Sequence, residues 1–356
     1  MTRPTVIRVT AGPDRYPVVV TRGRLSALAA WARVWRPCRR AVIVSHRGLR
    51  RRFGSQLQAA LRASGLQVGW CLIPEGERSK SLDMVARLYA QCAAQAVDRQ
   101  TLLVSLGGGV VGDIAGFVAA TYLRGLPWVA VPTTLVAQLD SAIGGKVGVN
   151  LPSGKNLVGA FYQPWLVYCD LHLLRTLPPE RWREGLVEAL KCGIVADPTL
   201  FRVAQPPLAS RNLLSVVCRA ARVKARLVAQ DPYDRRGMRA WLNLGHTIGH
   251  ALERAGGYRQ WSHGAAVAAG LRAAARLSIR WGYCDAAVVD CVETALDRLH
   301  MRRPLPRLAR NAWERLLRGE KKRSGETVHF VVMRAIGQVA AHPITIRDLA
   351  TAITDL

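Results

Sequence analysis

Short apolar runs rich in β-branched residues alternate with segments of helical spacing over the first 170 residues of the chain. Such runs predict buried β-strands, and apolar residues three or four positions apart predict amphipathic helices. The predicted strands cover residues 18–21, 41–45, 68–73, 101–106, 128–132 and 166–169, and the predicted helices between them cover residues 49–64 and 81–95. Strands that alternate with helices indicate a mostly parallel, Rossmann-like sheet.

The pattern becomes almost wholly helical beyond Pro178. Helical periodicity covers residues 181–195, 213–230, 238–255, 263–281 and 285–299, and a small hairpin is predicted where residues 327–333 are followed by 335–337. We therefore predict an α/β domain over residues 1–175 and an α-rich domain over residues 176–356, with the boundary between residues 172 and 178.

The chain is strongly basic, with 51 Lys and Arg against 24 Asp and Glu and a formal charge of +27. A charge of this size is typical of a nucleic-acid binder or of a site for anionic substrates. The basic residues are spread along the chain, and no basic stripe with interleaved aromatic residues accompanies them. We interpret them as a solvated Arg-rich surface and predict no nucleic-acid partner.

The sequence predicts neither a membrane span nor a disulfide framework. Its longest apolar runs are far shorter than the roughly 20 residues that cross a bilayer, and its N-terminus has no apolar stretch like that of a signal peptide. The eight cysteines include no CxxC pair, which argues against a zinc ribbon. We expect a soluble cytoplasmic protein with no membrane partner.

A glycine-rich loop follows the predicted strand at residues 101–106. Gly107, Gly109 and Gly112 satisfy a GxGxxG pattern at the start of a helix. Exposed N–H groups at a helix start bind negative charge, and glycines let a pyrophosphate approach the backbone. No acidic residue follows about 20 positions later, so the usual dinucleotide fingerprint is half met. Close packing of a helix on a sheet also explains such glycines.

A second motif has the residue types of a metal site. His246 and His250 are four residues apart on a predicted helix and project from one face, and His263 opens the next helix. Glu188 and Lys191 lie three residues apart on an earlier helix. Two histidines and a glutamate around an open position are typical of catalytic zinc. The alternative is that these are ordinary buried histidines and a surface ion pair.

Taken together, these motifs resemble the 3-dehydroquinate synthase family, and the resemblance runs from about residue 70 to residue 333. It is carried by residues 74–80, 107–124, 131–134, 138–140, 144–146, 154–156, 188–191, 243–250 and 321–322, together with Lys224, Arg239 and His263. Each segment alone is a short motif that also occurs in unrelated proteins, but the order and spacing of so many segments make coincidence implausible.

The resemblance implies an NAD-binding domain followed by a helical metal domain, with the active site in the cleft between them, in a homodimer. It also implies a reaction in which a phosphorylated seven-carbon sugar acid is closed to 3-dehydroquinate. NAD transiently oxidises a hydroxyl, phosphate leaves by elimination, hydride returns, and an aldol addition closes the ring. The metal, zinc or cobalt, lowers the pKa of a substrate hydroxyl.

The family's functional residues carry over to numbered positions here. The implied metal ligands are Glu188, His246 and His263. The implied NAD contacts are Glu77, Lys80, Gly107, Gly108, Gly109, Val110, Gly112, Asp113, Thr133, Thr134, Lys146 and Lys155. The implied donors to the substrate phosphate and carboxylate are Lys146, Asn156, Lys191, Lys224, Arg239, Asn243 and Lys322, with Arg124 reaching across the dimer. His250 is the implied general acid–base. Asp140 is implied either to hydrogen-bond the nicotinamide side of NAD or to orient a lysine that binds the substrate.

Several positions depart from the family pattern. The family's acid after His-Gly is Ala265 here, and loss of support for a ligand costs about 10–100-fold in metal affinity or activity. His46 stands where a ribose contact is expected, Glu320 replaces an aspartate, and Cys192 replaces a tyrosine. One residue is inserted near residues 231–234. None of these changes a predicted metal ligand, so we expect activity, at a reduced level if support of His263 is weakened.

Other classes of protein share parts of this pattern. A sister cyclase with a valiolone or deoxy-inosose product has the same NAD and metal sites. Its sugar phosphate substrate carries no carboxylate, however, and so needs fewer cations in the site. A metal-dependent polyol or alcohol dehydrogenase has similar architecture without this concentration of Lys and Arg. A non-catalytic relative or a nucleic-acid-binding module is the remaining alternative.

Overall fold

The computed structural model describes residues 3–206, 208, 210–319 and 323–356. The chain divides into two compact units. The first contains the chain up to Pro178 together with residues 224–233, and the second contains residues 179–223 and 234–356. Lys322, Lys321 and Glu320 lie outside the described residues.

The first unit is built on a seven-stranded sheet in the order β1-β2-β9-β6-β5-β3-β4. The strands of this unit are β1 (Thr5–Ala11), β2 (Asp14–Thr21), β3 (Arg40–Ser45), β4 (Gln67–Leu72), β5 (Thr101–Gly107), β6 (Trp128–Pro132), β7 (Lys146–Leu151), β8 (Gly154–Phe161) and β9 (Leu166–Asp170). All neighbours in the large sheet are parallel except β1 and β2, and β7 pairs with β8 in a separate hairpin.

Three α-helices accompany this sheet: α1 (Arg47–Ala63), α2 (Leu82–Ala94) and α3 (Gly109–Thr121). All seven residues of β5 are buried, as expected for a parallel strand covered on both faces. Because β5 leads directly into α3, the glycine loop lies at the carboxyl end of a central strand. Ligands of open α/β sheets bind at that edge.

The second unit is mainly helical. Its helices are α4 (Pro179–Ala196), α5 (Pro198–Val203), α6 (Ser210–Gln230, whose residues from Lys224 belong to the first unit), α7 (His246–Ala255), α8 (His263–Arg280), α9 (Ala286–Arg298), α10 (Arg310–Leu317) and α11 (Ile346–Thr354). A small antiparallel sheet contains β10 (Arg323–Ser324), β11 (Thr327–Ala335) and β12 (Gln338–Thr345). The predicted fold class, a Rossmann-like α/β region followed by an α-rich region, is confirmed.

Two predicted elements are wrong in detail. The helix predicted over 238–255 is interrupted: a 3-10 helix covers Met238–Asn243, and Gly245 adopts a φ of +76° before α7 begins. A side chain at Gly245 would also meet the backbone nitrogen of Leu271, so the break needs glycine. In the late hairpin, residues 336–337 form the turn, and the return strand is Gln338–Thr345. Gly337, with a φ of +95°, permits that turn.

Among the described residues, no helix combines the length and the apolar character needed to cross a membrane.

Candidate metal and cofactor sites

Glu188, His246 and His263 come together in the second unit. Glu188 lies in the middle of α4, and the two histidines are the first residues of α7 and α8. One ligand atom from each residue lies within 4.8 Å of the others. The Nε2 atoms of both histidines are 3.5 Å from Oε1 of Glu188. Ligands bound tetrahedrally at about 2.0–2.1 Å from zinc lie roughly 3.3 Å apart, so the arrangement fits a metal ion.

Glycines allow the three helices to approach this closely. A Cβ atom on Gly264 would overlap the backbone and side chain of Glu184, which lies one turn before Glu188 on α4. A Cβ on Gly270 would meet the carbonyl oxygen of Gly245, just before His246. Close backbone contact of this kind is open only to glycine. The small residues of the sequence thus determine how near the ligand-bearing turns can lie.

Each of the two ligand histidines stands at the start of its helix and has a local hydrogen bond nearby. The Ser262 hydroxyl accepts the N–H of Ala265, which caps α8 immediately before His263. The Nδ1 of His246 lies 3.2 Å from the carbonyl oxygen of Leu244. When Nδ1 donates to that oxygen, Nε2 carries the lone pair and faces Glu188, as metal ligation requires.

Glu188 and Lys191 are both 1% exposed, and Lys191 Nζ lies 2.6 Å from Glu188 Oε2. The alternative of a surface ion pair is therefore wrong. Burial acts to raise the pKa of Glu188, but Lys191 and the two histidines outweigh it and hold that pKa well below its usual range. Glu188 is thus an ionised carboxylate inside the protein, which is the state that binds a metal ion.

The two ligand histidines have opposite protonation states without an ion. Burial, together with the positive charge of Lys191, lowers the pKa of His246 to about 4. Burial also acts to lower the pKa of His263, but contacts with Glu188 and Glu253 outweigh it and raise that pKa to about 10. His246 is therefore a neutral imidazole at pH 7, whereas His263 is an imidazolium cation. An incoming metal ion displaces one of the two ring protons of His263.

His250 lies one turn after His246 on α7 and is half-buried. Its ring centroid is 5.4 Å from that of His246 and 6.4 Å from that of His263. The three-residue ligand cluster found among the described residues does not include it. His250 is thus next to the metal-type site without sharing its ligand geometry.

Two further predicted residues of the second unit precede α7 in the sequence. Arg239, which is only 2% exposed, and Asn243 lie on the 3-10 helix Met238–Asn243. A guanidinium binds phosphate and carboxylate groups through parallel hydrogen bonds, so an arginine is a suitable residue type for the predicted anion contact. The predicted substrate contact Lys322 lies outside the described residues.

In the first unit, the glycine loop lines a cavity with Gly107, Gly108, Gly112, Asp113 and Lys146 on its wall. A Cβ atom on Gly112 would have no neighbour within 4 Å, whereas one on Gly116 would strike Val147 and Trp128. The glycine that packs the helix on its neighbours is therefore Gly116, and Gly112 faces open space.

The other predicted NAD contacts of the loop lie around it. Thr133 donates its N–H to the Gly107 carbonyl at 2.9 Å, and the Thr134 side chain lies against Gly108. Gly109 and Val110 form the first turn of α3. The loop thus presents backbone N–H groups of a helix start beside two threonines, a combination that suits a phosphate group.

Lys80 joins the loop to the β7–β8 hairpin. Its ammonium donates to Asp113 Oδ2 at 2.5 Å and also to the Asn156 side chain. Burial raises the pKa of Asp113, and the charge of Lys80 partly offsets that rise. Asn156 adopts a φ of +53°, which asparagine tolerates better than most residues.

Asn150 belongs to the same network and was not predicted as a site residue. Its amide donates to Glu77 Oε1 at 2.8 Å, and its Oδ1 accepts the N–H of Asn156 at 2.9 Å. It therefore ties together the segments that carry Glu77, Lys80 and Asn156. No local motif marks Asn150, because its role depends on the hairpin, which the sequence pattern did not predict.

Asp140, Lys224, Lys155 and Arg124 complete the predicted set in the first unit. Asp140 lies on a π-helical turn at Ala137–Ser141, a distortion frequent at functional sites, and it accepts a hydrogen bond from the buried Lys224. Lys155 is half-buried on β8. Arg124 is exposed just after α3, with a φ of +65°.

Solved structures share this fold over nearly the whole chain. One is 2-deoxy-scyllo-inosose synthase complexed with carbaglucose-6-phosphate, NAD+ and Co2+, with a TM-score of 0.86, 22% identity and coverage of 99% of this chain and 100% of the other. Another is ValA, the 2-epi-5-epi-valiolone synthase of Streptomyces hygroscopicus subsp. jinggangensis 5008 with NAD+ and Zn2+ bound, with a TM-score of 0.84, 26% identity and coverage of 98% and 99%. The fold is that of the dehydroquinate synthase-like cyclases.

Sequence comparison identifies the family within that class. Residues 70–184 match the model of the 3-dehydroquinate synthase N-terminal domain, and residues 185–323 match that of the C-terminal domain. The 3-dehydroquinate synthase of Symbiobacterium thermophilum is 42% identical over 343 residues, which cover 93% of this chain and 95% of the relative. The chain belongs to the 3-dehydroquinate synthase family, and the resemblance found in its motifs is confirmed.

Proposed function

We propose that this chain is a 3-dehydroquinate synthase, a carbon–oxygen lyase of the shikimate pathway to aromatic amino acids. It converts 3-deoxy-D-arabino-heptulosonate 7-phosphate to 3-dehydroquinate and phosphate. The observation that carries the proposal is the Glu188–His246–His263 cluster in a chain whose two halves match the two domain models of that family. The sister cyclases share the fold at 22–26% identity, well below the 42% of the synthase relative.

The division of roles follows the two predicted domains. Residues 1–175 bind NAD, with the pyrophosphate on the loop from Gly107 to Gly112. Residues 176–356 hold one divalent ion, zinc or cobalt, on Glu188, His246 and His263. The ValA structure, 26% identical to this chain, has NAD+ and Zn2+ bound and supports both assignments. We further propose a cytoplasmic homodimer in which Arg124 reaches the partner's substrate phosphate.

When bound, the ion polarises a substrate hydroxyl and NAD accepts and returns one hydride, so the reaction has no net oxidation. His250 relays the hydroxyl proton, because it lies beside two ligand histidines yet outside the ligand set. Lys191, paired with Glu188, orients the substrate oxygens. Lys224, held by Asp140, acts in the same way.

The substrate's two anionic groups account for the remaining predicted residues. Charged donors bind phosphate and carboxylate more strongly than neutral ones do, and arginine binds them through two parallel hydrogen bonds. We assign the phosphate and the carboxylate to Lys146, Asn156, Arg239, Asn243 and Lys322.

A substrate panel tests the proposal. Phosphate release is measured with 3-deoxy-D-arabino-heptulosonate 7-phosphate, with a heptulose 7-phosphate that has no carboxylate, and with glucose 6-phosphate. Loss of a buried charged contact costs about 2–5 kcal/mol, so the acid is expected to react at least about 30-fold faster in kcat/KM. Preference for either of the two sugar phosphates that lack a carboxylate would instead support a sister cyclase.

The open space beside Gly112 gives a prediction for the cofactor. Gly112→Ala places a methyl group where the pyrophosphate approaches, and we expect the Kd for NAD to rise about 10-fold, or about 1.4 kcal/mol. The melting temperature should be kept or raised, because alanine is favoured over glycine in a helix by about 1 kcal/mol. Calorimetric NAD titration and thermal unfolding measure the two effects.

Gly116→Ala is the matched control on the same helix. Its methyl group would strike Val147 and Trp128, so this variant should lose stability. If Gly112→Ala binds NAD as tightly as the parent, the pyrophosphate does not lie on this turn.

A further inference from the structure

His263 is contacted by carboxylates at both ring nitrogens. Its Nε2 is 3.5 Å from Glu188 Oε1, on the side of the ligand cluster, and its Nδ1 is 3.5 Å from Glu253 Oε2. Glu253 lies on α7, two turns after His246, and is 3% exposed. The sequence motifs did not select it. A buried carboxylate needs partners that compensate its charge, and His263 is one of them.

The two ligand histidines are supported in parallel ways. His246 has the Leu244 carbonyl at its Nδ1, and His263 has Glu253 at the same atom. In both rings an acceptor at Nδ1 selects the Nδ1–H tautomer and leaves the Nε2 lone pair toward the ion. A carboxylate also makes the imidazole a stronger ligand than a carbonyl does.

We infer that Glu253 is the positioning residue for His263: it fixes the ring's tautomer and orientation and thereby raises the affinity of the site for its divalent ion. This inference rests on the proposed metal site. It extends that site from three ligands to a carboxylate–histidine–metal arrangement whose outer carboxylate comes from α7.

The local packing explains why Glu253 can reach His263. A Cβ on Gly249, one turn before Glu253, would come within 3.2–3.3 Å of the Ala266 carbonyl and the Val267 nitrogen, so α7 and α8 lie in close contact there. Glu253 therefore needs to bridge only a short gap between helices.

Support from Glu253 is independent of residue 265. Ala265 lies in the first turn of α8, where its N–H is capped by Ser262. Its methyl group offers His263 no acceptor. On the sequence alone, reduced activity is expected if this alanine weakens the support of His263. With Glu253 at Nδ1, we expect the chain to hold its ion with Ala265 in place.

The test measures metal affinity, apart from activity. Parent protein, Glu253→Gln and Glu253→Ala are stripped of metal, and zinc is titrated in competition with a chromophoric chelator. We expect the Kd for zinc to rise about 10–100-fold in Glu253→Ala and by a smaller factor in Glu253→Gln, which keeps an acceptor but loses the charge. Glu293→Gln is the control and should bind like the parent, because it removes a carboxylate on α9 that is paired with Arg276, near the C-terminal end of α8 and away from His263 in the sequence.

Two further readouts separate positioning from general stability. The ¹⁵N shifts of His263 should report one fixed tautomer in the parent and a mixture in Glu253→Ala, and the visible spectrum of bound Co²⁺ should change in the variant. If Glu253→Ala does not fold, the isosteric Glu253→Gln decides by the same measurements.

The possible failures are distinguishable. Parent-like zinc affinity and an unchanged His263 tautomer in the folded variants of Glu253 would overturn the inference while leaving the proposed function intact. If the parent itself binds no zinc or cobalt, the metal site of the proposed function fails, and the role assigned to Glu253 fails with it.

Discussion

Replacing His246 with alanine is expected to lower kcat/KM by about 10³-fold or more. The change removes one of the three proposed ligands. Polarisation by the ion is worth several kcal/mol, of which each 1.36 kcal/mol is a factor of about ten in rate. Metal content after purification should fall with the activity. Both are measured on the purified variant, by elemental analysis and by steady-state phosphate release.

His329→Ala is a suitable control for that variant. His329 is exposed on β11 and belongs to no ligand cluster among the described residues, so its removal should leave metal content and rate unchanged. A His246→Ala protein with parent-like rate and metal content would show that the cluster does not hold the catalytic ion.

His250→Ala is expected to slow turnover by about 10²–10⁴-fold while metal and NAD stay bound, because it removes a proton relay and no ligand. The geometry supports the distinction: His250 stacks 6.4 Å from His263, centroid to centroid, and lies outside the ligand cluster. The measurement is kcat at saturating substrate together with the zinc Kd of the same preparation.

Added imidazole separates a proton relay from a packing role. Imidazole that occupies the space left in His250→Ala can carry the proton, so we expect it to restore part of the rate. The same addition should not rescue His246→Ala, whose loss is one of ligation. Near-normal turnover of His250→Ala, or a slowed rate accompanied by loss of metal, would overturn the role given to this residue.

Much of the fold could be predicted because the determining signals are local. The buried runs at residues 41–45, 101–106 and 128–132 correspond to β3, β5 and β6, since fully covered parallel strands are almost continuously apolar. The two helix starts at residues 246 and 263 differ in how far a local sequence signal marks them. The Ser262 cap marks the second, whereas the break at Gly245 comes from packing against Leu271, which no short window contains.

The same distinction applies to the candidate site. Residue types and spacing marked Glu188 and the histidines at 246, 250 and 263 as a metal-type motif, and the family resemblance selected Glu188, His246 and His263 as the ligands. Neither Glu253 nor Asn150 was selected, since each acts on a residue brought close only by the fold. The sequence left a surface pair of Glu188 and Lys191 open as the alternative, and the 1% exposure of both side chains excludes it. Positions that act through a neighbour carry no sequence motif of their own.

The most direct test of the whole account is phosphate release from 3-deoxy-D-arabino-heptulosonate 7-phosphate, with 3-dehydroquinate measured in the same reaction. Protein stripped by a chelator and freed of NAD should be inactive, and activity should return only when a divalent ion and NAD are both restored. The two products should then form in equal amounts with no net NADH. Phosphate release that needs neither NAD nor metal, or that yields no 3-dehydroquinate, would contradict the account.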